Sequence, residues 1–451
     1  MKRDREVKTV NMTKNSNLLD RIDQILSRHQ ICNSCLGRLF GQLSHDLTNE
    51  ERGKSLRISS AIIRDDPLKD SESCKICQGL TAELHGWVAK AIERVKRIEF
   101  ETFLFGTRFK KNLLDNQKAL EKEFELNSSE DFSHAINRKL GKKFRDKLYE
   151  RNRKVEADFE APDLTVLIDF NSAEVELDIR PVYFYGRYRK LTRGIPQTVW
   201  HCNHCRGAGC ERCSYTGREY GDSVEERVSE PLRKAANGES TVFHGAGRED
   251  VDVLTLGRGR PFVVEVKEPK IRKLNYSSVV EEINDKSSGV VKIGELRKVT
   301  KDAIKTVKQS ELDKVYRIEL ELGDPVKEDR FKEVLSQMEG RIFQRTPERV
   351  SHRRAAKVRV RKLKDTTVTR LSECQYQVDL LAERGLYIKE LFAAHRTVPS
   401  MIKLLGTSVD VEQLDVLDIP GTLEEKSQED LSKKEYTYNK TVNDNILTRV
   451  E

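Results

Sequence analysis

The sequence lacks the features that would assign it to a membrane or fibrous class. No apolar run approaches the about 18 residues that a membrane-spanning helix needs, so we expect no membrane partner. The basic start, Met1–Val10, has no apolar segment behind it of the kind found in a secretory signal. Low-complexity tracts, collagen repeats and coiled-coil heptads are also missing. We therefore expect a cytoplasmic protein.

The sequence also has little excess charge of either sign. Its 82 Lys and Arg residues against 74 Asp and Glu residues give a net charge of +8, which permits a nucleic-acid partner without requiring one. Hydrophobic residues are 37% of the 451 residues and mean hydropathy is −0.65, so the chain is polar but can build more than one core. At about 100–200 residues per domain, this length predicts two to four domains.

Cysteine, in contrast, occurs in a strongly non-random pattern. Eight of the nine cysteines form four C-x-x-C pairs, where a random arrangement would give roughly 0.2 such pairs. The turn in C-x-x-C brings both thiolates to one ion at about 2.3 Å, and two pairs complete a tetrahedral shell. The compact group contains Cys202, Cys205, Cys210 and Cys213, and the split group contains Cys32, Cys35, Cys74 and Cys77.

Both groups predict structural zinc sites with no open position for catalysis. Redox-active thiols or an iron–sulfur cluster are the alternatives, whereas disulfides fit a cytoplasmic protein poorly. His201 and His204 are alternative ligands for the compact group. The ninth cysteine, Cys374, lies in a stretch of alternating apolar and polar residues, and we interpret it as a strand residue without a role.

The apolar pattern indicates an α/β first part. Helical spacing begins at Leu18, and Ser133–Arg153 predicts a strongly basic helix. Strands are predicted at Leu164–Phe170 and Glu174–Arg180. We place a domain boundary near residue 190.

The following region is richer in strands. Ser223 is expected to begin a helix through a capping box, and residues 240–420 are mostly strands. Alternation over Phe262–Val266 predicts a strand that is buried on one face only. Residues 421–451 are polar and of mixed charge, and we expect a weakly packed tail there.

Two stretches are suited to RNA, because cations neutralise phosphates and aromatic faces stack on unpaired bases. Pro181–Thr198 interleaves aromatic residues with four cations, which are Arg187, Arg189, Lys190 and Arg193. Val350–Lys364 is strongly basic, and strand alternation would put Arg359 and Arg361 on one face. In both stretches the alternative is a strand with a solvated basic edge.

A glycine-rich segment, Gly245–Phe262, contains the pattern Arg-x-Asp at Arg248 and Asp250. Such a loop can hold a carboxylate at a cleft while a neighbouring cation keeps it ionised. An aspartate in a glycine-rich turn is also commonly just a turn former. The glycine spacing matches no phosphate-binding fingerprint.

This segment resembles the catalytic motif of the tenth family of archaeal and eukaryotic tRNA pseudouridine synthases, which modify uridines 54 and 55 of the tRNA T-loop. The resemblance is carried by Gly247–Val253 and Leu256–Phe262, and it extends from Cys32 to Ile419. Four other segments are similar to parts of the family: Ile31–Gly41 and Cys74–Gly79 to the two halves of its zinc signature, Tyr185–Thr198 to the end of its THUMP domain, and 202–213 to an archaeal-type insertion.

The resemblance implies roles for individual residues. Asp250 matches the catalytic aspartate, which would act as the nucleophile, and Asp252 is the second candidate because it lies two residues further on. Tyr316 matches the active-site tyrosine. Tyr387 matches a second substrate contact, and Lys389 matches the basic partner of the aspartate.

Arg248 is a further substrate-binding candidate and could also accompany the aspartate. Without the resemblance, Tyr316 and Tyr387 would be interpreted as aromatic residues of core strands, and Lys389 as a solvated charge.

The implied architecture is α+β. A zinc-stapled RNA-binding half would precede a pseudouridine synthase domain with a mixed, largely antiparallel sheet. The divisions are an N-terminal helical and zinc module (1–77), a THUMP-containing RNA-binding domain (78–190), a catalytic domain carrying the 202–213 loop (191–420) and the polar tail (421–451).

The implied function is isomerisation of uridine to pseudouridine in the T-loop of tRNA, at position 54, position 55 or both. The two zinc ions would be structural, and the reaction needs no cofactor or nucleotide. We expect a monomer whose partner is tRNA. The alternative is a noncatalytic zinc-containing protein that binds or chaperones tRNA.

Overall fold

The computed structural model describes residues 12–44, 46–68, 71, 73–348, 355–393 and 397–421. The chain divides into two compact units between Arg180 and Pro181. This division lies before the position near 190 expected from the sequence, because 182–190 form a strand of the second unit's sheet. Residues 422–451 of the predicted tail lie outside the described residues. In the described part of the chain, no helix is long and apolar enough to cross a bilayer.

The first unit packs helices against a four-stranded sheet. Its elements are α1 (Met12–Arg28), α2 (Asn33–Leu39), α3 (Asn49–Arg64), α4 (Leu80–Arg94), β1 (Thr102–Arg108), α5 (Lys111–Glu123), α6 (Phe132–Tyr149), β2 (Glu156–Ala157), β3 (Leu164–Asp169) and β4 (Glu174–Ile179). The strand order is β2-β1-β3-β4, with only the β3–β4 pair antiparallel. The predicted basic helix and the two strands after it are confirmed as α6, β3 and β4.

Helices α2 and α3 cross at two glycines. A Cβ atom on Gly37 would lie 1.8 Å from the carbonyl oxygen of Asn49, and one on Gly53 would lie 1.8 Å from that of Asn33. Arg57 of α3 reinforces this crossing by donating from Nε to Asn33 Oδ1 at 2.8 Å and from its guanidinium to the Ile31 carbonyl. The chain on both sides of Cys32 is therefore fixed by α3.

The second unit is built on an 11-stranded sheet. Its elements are β5 (Val182–Lys190), α7 (Val224–Ala235), β6 (Ser240–Gly245), β7 (Leu254–Lys267), α8 (Tyr276–Lys286), β8 (Val291–Ile293), β9 (Arg297–Val299), α9 (Asp302–Gln309), β10 (Lys314–Leu322), α10 (Glu328–Met338), β11 (Gly340–Arg345), β12 (Val358–Arg370), β13 (Gln375–Ala382), α11 (Ile388–Ala393), β14 (Thr397–Val398), α12 (Met401–Leu405) and β15 (Val409–Asp418). A short 3₁₀ helix, Glu211–Cys213, lies within the compact cysteine loop.

The sheet runs in the order β14-β11-β12-β13-β10-β15-β7-β5-β8, with β6 beside β7 and β9 beside β5. Among the described strands of this second sheet, only β15 and β7 pair in parallel, which confirms a mixed, largely antiparallel sheet. The predicted helix start is also confirmed: Ser223 caps α7 by accepting a hydrogen bond from the backbone N–H of Glu226.

Strand β7 differs from the prediction of one buried face. Phe262, Val263 and Val264 are all buried, although their side chains alternate between the two faces. Phe262 and Val264 pack in a core with α7 and α8, whereas Val263 packs with Val307 of α9. A strand that is covered on both faces tends to have a continuous apolar run, such as Phe262–Val264, rather than a strict alternation of apolar and polar residues.

Candidate functional site

Asp250 lies in the loop 246–253 that joins β6 to β7. The side chain of Asp250 is 38% exposed, so its carboxylate is accessible to a ligand. Lys389, in the first turn of α11, reaches this loop although it lies far from it in the sequence. Its Nζ lies 3.9 Å from Asp250 Oδ2 and 2.8 Å from Asp252 Oδ2. The structure thus brings together three of the residues singled out from the sequence.

Lys389 also affects the ionisation of Asp252. Partial burial acts to raise the pKa of this carboxyl group, but the hydrogen bond and the charge of Lys389 outweigh it, so the pKa lies below its usual value. Of the two aspartates, Asp252 is thus the one that Lys389 contacts more closely and stabilises in its charged form.

The main chain of the loop is held by hydrogen bonds from the buried side chain of Lys190. This lysine is fully buried, and its Nζ donates to the carbonyl oxygens of Ile195, Asp250 and Val251 at 3.0, 3.1 and 2.9 Å. Burial lowers its pKa. The prediction that Lys190 binds RNA phosphates is wrong, because its ammonium group is bonded to main-chain carbonyls inside the protein.

The residue before Asp250 is anchored in a buried polar network. Glu249 pairs with Arg260 of β7 at 2.7 Å, and both side chains are 1% exposed. The Tyr188 hydroxyl donates to Glu249 Oε1 at 2.6 Å, and Gln197 Nε2 donates to the Tyr188 oxygen at 2.8 Å. Arg260 also donates to the Ala246 carbonyl at 2.9 Å. The first half of the loop is therefore fixed to the sheet.

The far end of the loop is held by a second ion pair. Arg193 lies 2.7 Å from Asp415 of β15 and also donates to the carbonyl of Asp252. Asp415 Oδ1 accepts the backbone N–H of Leu254 at 3.0 Å, at the point where β15 and β7 pair in parallel. Arg193 is thus a structural cation rather than a free one.

Tyr316 lies on β10, in the central part of the sheet, and its side chain packs against the core. Burial raises the pKa of its phenol to about 12, so the group stays neutral at physiological pH. Two residues earlier, burial and the repulsion of Arg260 lower the pKa of Lys314 to about 7. A Cβ atom on Gly247 would lie 3.1 Å from Lys314 Nζ, which places the start of β10 against the loop of Asp250.

Tyr387 immediately precedes α11, and its backbone is fixed by one side chain. Gln344 of β11 accepts from the Tyr387 N–H at 2.9 Å and donates to its carbonyl at 2.9 Å. The guanidinium of Arg359 lies over the Tyr387 ring at 5.9 Å. The structure places Arg248 elsewhere, with its guanidinium 4.7 Å from the centre of the Trp200 ring.

The aromatic residues of Pro181–Thr198 are not available to stack on bases. Tyr183, Phe184, Tyr185 and Tyr188 are all buried, because β5 is an interior strand of the sheet. Arg187 donates to the carbonyl oxygens of Gly259 and Gly421 at 2.8 and 2.7 Å. The prediction that this stretch is an RNA-binding surface is therefore wrong for its aromatic residues and for most of its cations.

In the other basic stretch, residues 350–354 lie outside the described residues, and β12 begins at Val358. The expectation that Arg359 and Arg361 share a face is confirmed, since they alternate with the more exposed Val358 and Val360. Their face is the one that carries Tyr387.

The two cysteine groups are both assembled. In each group the four sulfur atoms lie within 4.8 Å of one another. Among these, Cys32 and Cys77 are 3.7 Å apart, and Cys202 and Cys210 are 3.9 Å apart. A tetrahedron with bonds of about 2.3 Å has edges of about 3.8 Å, so these shells fit one zinc ion each. Both arrangements can hold a metal.

The compact loop also has the backbone donors that stabilise thiolates. Backbone N–H groups of Gly209, Cys210 and Gly217 donate to cysteine sulfurs at 3.2 Å. Desolvation acts to raise the pKa of Cys213, but the bonds from Cys210 and Gly217 outweigh it and the pKa is lowered to about 6. Within the described residues the group consists of cysteines alone, without His201 or His204.

Comparison with known proteins identifies both units. Residues 87–169 match the family model described as Pus10 THUMP domain, archaeal, and residues 183–420 match the model described as Pus10, C-terminal. The chain thus combines a THUMP domain with a domain of the pseudouridine synthase class.

Curated relatives agree with these matches. A protein of Methanothrix thermoacetophila named tRNA pseudouridine synthase Pus10 is 38% identical over 90% of this chain and 95% of its own length. Proteins with the same name from Halorubrum lacusprofundi and Methanocaldococcus jannaschii are 37% and 36% identical, over 90% and 88% of this chain and 96% and 93% of their own lengths. The chain belongs to the Pus10 family.

Proposed function

We propose that this protein isomerises uridine to pseudouridine in the T-loop of tRNA, at position 54, position 55 or both, with Asp250 as the nucleophile. Membership of the Pus10 family makes the chain a tRNA pseudouridine synthase, an isomerase. The observation that supports the choice of residues is the meeting of Asp250 and Lys389, which are 139 positions apart in the sequence, with an Nζ–Oδ2 distance of 3.9 Å.

The reaction breaks the bond between N1 of uracil and C1′ of ribose and forms a bond between C5 and C1′. A proton leaves C5, and N1 gains one. The target nucleotide must first leave its stack, at a cost of a few kcal/mol, before a side chain can reach it. No net oxidation occurs, so the chemistry needs only positioned acid, base and nucleophile.

The residues have different parts in this proposal. Asp250 supplies the carboxylate. Its loop is held in place by the hydrogen bond from Lys190 to the Asp250 carbonyl and by the ion pair of Glu249 with Arg260. The neutral ring of Tyr316 would receive the everted base, and Tyr387 would complete the pocket. A phenol whose pKa is about 12 is better suited to stacking than to accepting a proton. Arg248 would contact the substrate from its place on Trp200.

The four-cysteine shells are proposed to hold zinc, since four thiolates at tetrahedral spacing suit this ion and leave no open position. They would shape the RNA-binding surfaces without entering the reaction. We also propose that the protein acts as a monomer in the cytoplasm without a nucleotide cofactor, which fits a tRNA substrate and an isomerisation that needs no energy source.

The test is tritium release from tRNA that carries 5-³H-uridine. We expect Asp250→Asn to slow release by at least about a thousandfold, as removal of a catalytic nucleophile does, while tRNA binding is retained. Asp252→Asn is the matched control, and it should slow release far less.

Two results would contradict the proposal. Release that persists in Asp250→Asn and is lost in Asp252→Asn would move the nucleophile to position 252. No release by the wild type on unmodified tRNA would favour a noncatalytic tRNA-binding protein.

A further inference from the structure

One face of the sheet in the second unit carries exposed apolar side chains in adjacent strands. In β11, Ile342 and Gln344 are buried, whereas Arg341, Phe343 and Arg345, which alternate with them, are exposed. The register places Phe343 opposite both Val360 of β12 and Val398 of β14. The outer face, as we call it, consists of Arg341, Phe343, Arg345, Val358, Val360, Lys362 and Val398.

The apolar part of the outer face is continuous. Phe343 is 44% exposed, Val360 43%, Val398 59% and Val358 62%. Directly opposed residues in antiparallel strands have Cβ atoms about 5 Å apart, so Phe343 touches or nearly touches Val360 and Val398. Val358 follows two residues from Val360 on the same face of β12. A contiguous exposed patch of this kind marks an interaction site, whereas single exposed apolar residues do not.

Cations lie on both sides of this apolar strip. Arg341 pairs with Lys362 in the row before Phe343, and Arg345 pairs with Val358 in the row after it. These rows are about 7 Å from Phe343, two residues along a strand. The outer face thus holds three cations, and none of the three forms an ion pair with a described residue. At its edge the carboxylate of Glu383 accepts the backbone N–H of Lys362 at 2.9 Å.

The outer face lies on the back of the strands that support the candidate active site. Gln344, which binds the main chain of Tyr387, points to the opposite side of β11 from Phe343. Arg359, which lies over the Tyr387 ring, likewise points away from Val360. A ligand on the outer face would therefore not be the nucleotide that reacts.

We propose that the outer face binds an unpaired segment of the tRNA, with Phe343 stacked on a base and Arg341, Arg345 and Lys362 placed against phosphates. An aromatic platform with flanking cations is what single-stranded nucleic acid requires. A second copy of this chain fits less well, because a symmetric contact would bring three cations against three others. The identity of the RNA rests on the proposed function, but the surface itself does not.

The first measurement is the affinity for an unmodified tRNA transcript. Phe343→Ala should raise Kd about five- to hundredfold, the range expected when stacking on one base is lost. The single-turnover rate at saturating enzyme should remain that of the wild type. Leu371→Ala is the matched control, since Leu371 is 51% exposed on the same unit but outside the outer face, and it should leave Kd unchanged.

The second measurement is the salt dependence of binding. Substituting glutamine for both Arg341 and Arg345 should reduce the slope of log K against log salt by about 1.4, since each contact with a phosphate of single-stranded nucleic acid contributes about 0.7. Lys332→Gln, which removes a cation already paired with Glu328, should not change the slope. Both arginines are exposed, so this variant should fold even if Phe343→Ala does not.

The proposal is overturned if Kd and the salt slope of these variants equal those of the wild type. It is also overturned if Phe343→Ala abolishes a dimer of the wild type, seen by light scattering, without changing RNA affinity. Failure of the proposed function gives a different pattern. If the wild type releases no tritium but Phe343→Ala still weakens tRNA binding, the proposed function is contradicted and the RNA-binding role of the outer face is supported.

Discussion

At the scale of single residues, the loop of Asp250 depends on charges that never meet solvent. Lys190 binds three carbonyl groups, and Glu249 pairs with Arg260 in a fully buried site. Burying such charges is costly unless each is paired and hydrogen-bonded. These residues fix the position of the carboxylate before any substrate arrives, which is the preorganisation that catalysis requires.

We expect Glu249→Gln to lower the free energy of unfolding by about 3–5 kcal/mol, because it leaves the Arg260 guanidinium buried without a counter-charge. The control is Glu333→Gln, which breaks the exposed pair with Arg330 and should cost about 1 kcal/mol or less. Urea unfolding followed by tryptophan fluorescence measures both. Equal losses in the two variants would contradict a special role for the buried pair.

At the scale of elements, the crossing of α2 and α3 positions the first cysteine pair. The contact at Gly53 is with main-chain atoms of Asn33, next to Cys32, so an added methyl group cannot be accommodated by a side-chain movement. The metal shell and the helix packing are therefore coupled.

Gly53→Ala should lower the melting temperature and reduce the metal retained by the split group, measured by elemental analysis. Gly86→Ala in α4 is the control, because a Cβ atom there meets nothing within 4 Å. Replacing an exposed helical glycine should stabilise the protein by about 0.5–1 kcal/mol. Wild-type metal content and stability in Gly53→Ala would rule out the coupling.

Strand β5 shows why part of the site could not be predicted. Tyr188 and Lys190 alternate with Arg187 and Arg189, a pattern that an exposed basic strand would share. Only the sheet order, in which β5 lies between β7 and β8, shows that these residues are interior. The cysteine groups were predictable because ligand spacing is local. The approach of Lys389 to Asp250 came from the family resemblance, since spacing alone does not relate distant segments.

At the scale of the whole molecule, each unit has its own core and its own cysteine group. The two groups differ in exposure. Cys35, Cys74 and Cys77 of the split group are buried, whereas in the compact group only Cys202 is. A chelator should therefore reach the compact group first.

We expect the purified protein to carry two zinc ions per chain and to release them to a chelator in two phases, one equivalent in each. Cys213→Ala should remove the fast phase, and Cys77→Ala should remove the slow one. A colorimetric zinc indicator follows the release. Iron in place of zinc, or metal-free protein with reduced thiols, would contradict this assignment.

The contact between Gln344 and Tyr387 has a consequence for engineering. One amide group occupies both the N–H and the carbonyl of residue 387, as a neighbouring strand would. The path of the chain at this point is thus set independently of the ring that it carries. A saturation library at position 387 would display every side chain except proline, which lacks the N–H, on a constant scaffold. Differences in nucleobase preference among its members would be attributable to the side chain itself.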